Sequence, residues 1–102
     1  MIKKLKIGII GCSQIAENSV IPAIKKSEFS ELRYIGSRSN QKGKKFAKKF
    51  HCKNFGDYND VLDDKETDLV YISLPVGLHE KWTIEAVKAG KHVLCEKSST
   101  TS

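Results

Sequence analysis

The stretch Ile7-Gly8-Ile9-Ile10-Gly11-Cys12-Ser13-Gln14-Ile15-Ala16 decides the fold of this chain. Its first four residues are apolar and mostly β-branched, which is typical of a strand buried on both faces of a sheet. Gly11 permits a tight turn, and a helix is predicted to begin at Gln14. A strand that turns on glycine into a helix directs free backbone N–H groups and the positive end of the helix dipole at one place. The junction therefore predicts a site for the pyrophosphate group of a dinucleotide.

The same junction carries a spaced motif. Gly11, Ser13 and Ala16 form the pattern G-x-S-x-x-A, which is the Rossmann dinucleotide fingerprint with serine in place of its middle glycine. Imperfect matches of this kind also occur at ordinary strand–turn–helix junctions. On this motif alone, both interpretations stay open.

Length and composition limit the classes of protein. The 102 residues are enough for one domain with one core, and 39% hydrophobic with 29% charged residues is typical of a globular protein. No apolar run approaches the roughly 20 residues that span a bilayer, and no apolar signal segment follows the charged start of the chain. We therefore expect a cytoplasmic protein without a membrane partner.

The cysteine and histidine pattern gives no sign of a disulfide scaffold or a metal site. Cys12, Cys52 and Cys95 are an odd number without a C-x-x-C pair, which favours reduced thiols. The pairs His51-Cys52 and His92-x-x-Cys95 match no metal-ligand spacing well. We expect no bound metal.

The net charge of +6 arises in part from lysines crowded into residues 41–53. Such a run is either a basic patch that binds the phosphate backbone of a nucleic acid or the solvated face of an amphipathic helix. Phe46 and Phe50 fall on the apolar stripe and not among the lysines, so no stacking platform for bases is evident. The pattern favours the solvated face, and we expect no nucleic-acid partner.

Strand and helix patterns alternate along the chain. The predicted strands cover residues 4–10, 31–36, 53–55, 68–73 and 92–95. The predicted helices cover residues 14–26, 40–50, 58–62 and 79–89, with Ser39 or Asn40 and Asp57 as caps, a break or kink at Pro22 and a stop at Gly90. Short connections between them require right-handed crossovers, so we expect an α/β doubly wound parallel sheet of strand order 3-2-1-4-5.

This order places a crevice between the first and fourth strands, at their carboxyl ends. Ser13, the segment Ser73-Leu74-Pro75 and the pair Glu96-Lys97 all follow strands at that edge. Three separate segments are thus predicted to meet at one ligand site.

Five motifs together resemble the glucose–fructose oxidoreductase / inositol dehydrogenase / rhizopine oxidoreductase family. The most diagnostic is residues 89–97, AGKHVLCEK, which is similar to the family signature A-G-K-H-V-x-x-E-K-P. The others are G-C-x-x-I-A at 11–16, S-R-x-x-x-K at 37–42, D-Y-x-D-V-L at 57–62 and D-L-V-Y-I-S-L-P-x-x-x-H at 68–79. The resemblance implies a Rossmann domain of an NAD(P)-dependent oxidoreductase acting on sugars, cyclitols or nucleotide sugars. A non-catalytic nucleotide-binding or docking module is the alternative.

The resemblance also implies roles for single residues. The pyrophosphate and its ribose are expected at the backbone amides of Gly11, Ser13, Gln14 and Ile15. The cleft beside the nicotinamide ribose is expected to be lined by Ser73, Leu74, Pro75 and His79. Glu96 is expected near the nicotinamide, and Lys97 is the expected catalytic residue, with a role in proton transfer.

The residues after the second strand bear on the choice of cofactor. NAD-binding sites usually place an acidic residue there, whereas this chain has Ser37 and Arg38, with Lys42 nearby. A guanidinium matches a 2′-phosphate in charge and geometry. This favours NADP; NAD with Arg38 only stacked on adenine is the alternative.

Two features depart from the family pattern. Ser98 replaces the proline of E-K-P, which leaves the direction of Lys97 less determined. Family enzymes also continue into a second α/β domain that supplies most of the substrate pocket and a catalytic histidine. We therefore expect residues 1–102 to be a Rossmann domain truncated after the fifth strand, taken from a homo-oligomeric enzyme with a small sugar-like substrate.

Overall fold

Five parallel strands form the centre of the computed structural model, which describes residues 4–95. Their spatial order is β3-β2-β1-β4-β5, as predicted. The strands are β1 (Leu5–Ile10), β2 (Ser30–Gly36), β3 (Phe55–Gly56), β4 (Leu69–Ile72) and β5 (His92–Cys95). Every neighbouring pair is parallel. The expected Rossmann topology is therefore confirmed.

Helices cover both faces of the sheet because each of the first four strands is followed by a helical crossover. The helices are a π-helical segment (Ala16–Val20) that continues into α1 (Ile21–Lys26), then α2 (Asn40–Lys49), α3 (Tyr58–Asp63) and α4 (Val76–Lys88). Alternate side chains of β1 point to opposite faces. Ile9 packs with α1 and α2 on one face, and Ile10 packs with α3 and α4 on the other. Two apolar cores result, and each has fully buried strand side chains at its base.

Local hydrogen bonds explain where the helices begin and end. The Ser39 side chain accepts the Lys42 amide at the start of α2, and Asp57 and Asp60 form a reciprocal capping box on α3. Gly90, at φ 81°, ends α4. The Gly90 and Lys91 amides donate to the carbonyls of Val87 and Ala86, so that the last turn closes as a Schellman motif.

The chain does not leave the helical conformation at Pro22, so the predicted break is wrong, but a new helical element, α1, does begin at Ile21 with Pro22 in its first turn. Residues 14–26 are helical without interruption, and the irregularity lies ahead of the proline as the π-helical segment. There the Ile21 amide donates to the Ala16 carbonyl, five residues back. This wider turn makes room for a ring that lacks an N–H group, so Pro22 is accommodated inside the helix.

Two predicted boundaries are also wrong. Helix α4 begins at Val76 and not at His79, because Pro75 sets an extended backbone and the chain turns into the helix directly after it. Strand β3 lies at Phe55–Gly56 and not at 53–55, because its pairing partners are Ile35 and Gly36 at the end of β2. Asn54 instead hydrogen-bonds across to Arg33 and Ile35.

One result concerns membranes: among residues 4–95, no helix combines the length and the apolar character needed to cross a bilayer.

Candidate functional site

The carboxyl ends of β1, β2 and β4 border one cavity of about 480 Å³. It lies at the switch point of the sheet, where the crossovers from β1 and β4 leave in opposite directions. Its lining consists of Gly11, Cys12, Ser13, Ser37, Arg38, Ser39, Lys42, Tyr58, Ser73, Leu74 and Pro75. Eight of these eleven are residues that the sequence placed at a dinucleotide site.

Gly11 shapes the floor of the cavity. Its backbone has φ 105°, a conformation that residues with side chains rarely adopt. A Cβ atom at this position would overlap the Ser73 carbonyl oxygen and lie 2.8 Å from Leu74 Cδ2. The absence of a side chain therefore lets β1 and β4 end side by side with open space above them.

Ser13 joins the two sides of the cavity. Its Oγ accepts a hydrogen bond from the Ala16 amide at 3.1 Å, as an N-cap does, and is also hydrogen-bonded to Ser73 Oγ. The serine that departs from the glycine fingerprint thus caps the first helix and connects the end of β1 to the end of β4.

Gln14 and Ile15 begin the first helix but do not line the cavity. Both side chains are exposed, and within residues 4–95 their backbone amides have no hydrogen-bond partner. Such amides at a helix start are donors available to an anion.

The end of β2 provides two cations. Ser37 is buried and its Oγ accepts the Ser39 amide at 3.1 Å, which fixes the turn into α2. Arg38 precedes this turn and Lys42 lies in the first turn of α2, and both are exposed at the cavity. Among the cavity-lining residues the structure describes, none is acidic.

Tyr58 and Cys12 line the cavity, although the sequence predicts no role for either residue there. The Tyr58 ring is buried and meets Trp82 edge to face, with ring centroids 4.9 Å apart. Burial raises the pKa of the Tyr58 phenol, and the positive charge of Arg38 opposes this. Burial likewise raises the pKa of the Cys12 thiol, against a hydrogen bond from Ser37 that lowers it. Both groups are therefore neutral near pH 7. The D-Y-x-D-V-L motif was the only sequence signal for Tyr58.

The remaining predicted residues lie elsewhere. His79 is in the first turn of α4, half-buried and outside the cavity lining. Glu96 and Lys97 lie outside the described residues. In the described part of the chain, no group of three His, Cys, Asp or Glu side chains is placed to hold a metal ion.

Comparison with known families matches residues 5–102 to the model described as "Oxidoreductase family, NAD-binding Rossmann fold". Among curated relatives, a dTDP-3,4-didehydro-2,6-dideoxy-alpha-D-glucose 3-reductase from Streptomyces violaceoruber is 41% identical over 97% of this chain and 29% of its own length. D-xylose 1-dehydrogenase (NADP(+)) 2 from Haloferax volcanii is 40% identical over 96% of this chain and 30% of its own.

Solved structures agree with these relatives. A 3-ketoreductase from Actinomadura kijaniata, crystallised with NADP, superimposes with a TM-score of 0.90 at 35% identity, covering 94% of this chain and 31% of that one. An aldose-aldose oxidoreductase from Caulobacter crescentus superimposes with a TM-score of 0.84 at 29% identity, covering 93% and 30%. The chain thus spans about 30% of the length of the proteins it matches.

Proposed function

Because this chain belongs to the oxidoreductase family with an NAD-binding Rossmann fold, we propose that its cavity binds NADP(H) for hydride transfer to or from a sugar-like substrate. The observation that carries the proposal is the pair of cations at the end of β2. Arg38 and Lys42 border the cavity, and none of the described lining residues is acidic. A carboxylate at this place would repel a 2′-phosphate, whereas a guanidinium binds one.

The rest of the cavity fits the dinucleotide. Gly11 has no side chain, and a Cβ there would overlap its neighbours, so the turn after β1 leaves its backbone open to the pyrophosphate. The amides of Gln14 and Ile15 are donors beside this place. Ser73, Leu74 and Pro75 follow β4 and form the wall on the other side of the switch point. We place the nicotinamide half along that wall, near His79.

When bound, NADPH supplies the hydride that adds to the carbonyl carbon of a ketone. The carbonyl oxygen then needs a proton, and we assign its donation to the ammonium group of Lys97; in the reverse reaction, the neutral amine accepts it. Glu96 belongs to the same segment, directly after β5. The relatives are named for a dTDP-sugar 3-reductase and a xylose dehydrogenase activity, which supports a sugar or nucleotide-sugar substrate.

We further propose that residues 1–102 are the dinucleotide-binding domain of a longer cytoplasmic homo-oligomer. The shared region is about 30% of the relatives' length, which supports a substrate pocket built mainly by residues outside it. This proposal gives no role to nucleic acid or to a membrane.

Calorimetric titration of the chain with NADPH and with NADH tests the proposed cofactor. We expect NADPH to bind about 10- to 100-fold more tightly, since a charge-assisted contact contributes about 1.5–3 kcal/mol. In Arg38→Ala and Arg38→Glu the preference should disappear, whereas Lys88→Ala, on an exposed face of α4, should keep it. Equal affinities in the unmodified protein would rule out the NADP preference, and binding of neither cofactor would overturn the proposal as a whole.

A further inference from the structure

The lysine side chains of α2 form a basic groove next to the proposed cofactor cavity. This lysine groove has a volume of about 950 Å³ and is lined mainly by Lys42, Lys44, Lys45, Lys48 and Lys49, with Glu17 on the facing side. Apart from Glu17, every charged side chain that lines the groove is a lysine.

The groove and the cavity are adjacent and share two lining residues. Ser39 and Lys42 line both of them, at the start of α2. Along a helix axis, Lys45 lies about 5 Å and Lys48 about 9 Å beyond Lys42. The basic charge therefore extends outward from the place where a 2′-phosphate is proposed to bind, over a distance near the Debye length of about 8 Å at physiological salt.

Most of this charge is not neutralised by neighbours. The one carboxylate lining the groove, Glu17, is paired with Lys49 at 2.6 Å. Within residues 4–95, Lys44, Lys45 and Lys48 are exposed and have no carboxylate at ion-pair distance. Like charges that line a groove attract an oppositely charged ligand before it touches the protein. They therefore raise the association rate constant of that ligand.

We infer that the lysine groove attracts the 2′-phosphate end of NADPH and speeds its entry into the cavity, and so favours NADPH over NADH kinetically. This inference rests on the proposed function. Arg38 holds the phosphate once it is bound, whereas Lys44, Lys45 and Lys48 act before contact. Removing these three lysines should therefore lower the association rate constant and leave the dissociation rate constant unchanged.

The test is stopped-flow binding of NADPH to the full chain carrying Lys44→Gln, Lys45→Gln and Lys48→Gln together. Glutamine keeps a similar helix propensity, so α2 should remain folded. The matched control carries Lys26→Gln, Lys53→Gln and Lys65→Gln, three exposed lysines outside the groove with the same total charge change.

At about 20 mM ionic strength, we expect the groove variant to bind NADPH about 3- to 10-fold more slowly than the control. The association rates of the two variants should become equal at about 0.5 M salt. The association rate of NADH should differ less between them, because NADH lacks the 2′-phosphate. Equal association rates for the two triple variants at low salt would overturn the inference and leave the proposed function intact. Failure of the unmodified chain to bind NADPH at all would overturn both.

Discussion

Gly11 is the residue whose replacement should affect the site most. With φ 105° and no room for a Cβ beside the Ser73 carbonyl, Gly11→Ala combines backbone strain with a steric clash. We expect it to lower the free energy of unfolding by about 2–4 kcal/mol and to abolish NADPH binding. Urea denaturation and calorimetric titration measure the two effects.

Gly77 provides the matched control for Gly11. It lies in α4, and a Cβ there would meet no atom within 4 Å. Gly77→Ala should raise the free energy of unfolding by about 0.5 kcal/mol, because alanine loses less conformational entropy in a helix. If the two alanine variants were equally stable, the argument from space and φ at Gly11 would be wrong.

At the scale of single residues, the sequence predicted which residues meet but not every task they perform. Gly11, Arg38 and Ser73 could be placed because each follows a strand that the apolar pattern identifies. The hydrogen bond between Ser13 and Ser73 could not, since it joins residues 60 positions apart. For Tyr58 the sequence predicts only a place in a helix, because nothing local indicates that β2 and α3 bring its ring to the cavity.

Two helices end in the same motif with different residues in the left-handed position. Gly90 occupies it after α4, and His51, at φ 57°, occupies it after α2. After α2, the Cys52 amide donates to the Ala47 carbonyl at 2.8 Å. Histidine is strained in this conformation, whereas glycine is not.

His51→Gly should therefore raise the free energy of unfolding by about 0.5–1 kcal/mol. The free energy gained by removing the backbone strain should exceed the cost of the larger conformational entropy that glycine has in the unfolded chain. Gly90→His is the reciprocal variant and should lower it by about 1 kcal/mol. Thermal and urea denaturation of both variants measure the difference. A destabilised His51→Gly protein would mean that the histidine side chain makes a stabilising contact larger than its strain.

At the scale of elements, caps were easier to predict than irregular turns. Ser39, Asp57 and Gly90 act where the sequence placed them, since each supplies its own hydrogen bond or backbone conformation. The π-helical segment could not be predicted, because no pattern of residues marks the hydrogen bond from the Ile21 amide to the Ala16 carbonyl. The start of α4 at Val76 was missed because Gly77 lowers the helical character of its first turn.

For the whole molecule, a cluster of polar residues connects segments at the amino-terminal end of the sheet, opposite the cavity. Arg33 of β2 binds Asp64 through two hydrogen bonds, at 2.9 and 3.2 Å, and Thr67 donates to the same carboxylate at 2.6 Å. Lys91, just before β5, donates to the backbone carbonyls of Asp64 and Thr67. The Asp64 carboxylate thus connects β2 with the segment before β4, and two backbone carbonyls of that segment connect it with Lys91 before β5.

This cluster should make the fold sensitive to acid. The hydrogen bonds from Arg33, followed by that from Thr67, hold the pKa of Asp64 at about 2, below its ordinary value of 3.8. A carboxyl whose pKa is lower in the folded than in the unfolded state stabilises the fold above the unfolded pKa. The stabilisation of about 2 kcal/mol is full above pH 5 and is lost as the pH falls from 4 to 2.

Asp64→Asn removes the charge and should lower the free energy of unfolding by about 1–3 kcal/mol at pH 7. The difference in the free energy of unfolding between this variant and the unmodified protein should become smaller towards pH 2, where Asp64 is itself protonated. Asp63→Asn, at the exposed neighbouring position, should change stability by less than about 0.5 kcal/mol. Urea denaturation at several pH values measures these differences, and a gap independent of pH would contradict the assignment to Asp64.

The strand order is the whole-molecule feature that the sequence predicted best, because nearly continuous apolar runs mark central parallel strands and right-handed crossovers leave few arrangements. The Arg33–Asp64 pair was not predicted. It joins residues 31 positions apart, and its partners look like ordinary surface charges until the sheet is assembled.

The hydrogen bond between Ser13 and Ser73 has a consequence for the life of the protein in the cell. The two walls of the cavity come from distant parts of the chain, so an unfolded chain offers the cofactor no site. A ligand that binds only the folded state protects it by mass action, by about 2.7 kcal/mol at a concentration 100 times its dissociation constant. Cells rich in the cofactor, in either redox form, should therefore degrade this protein more slowly than cells in which it is depleted.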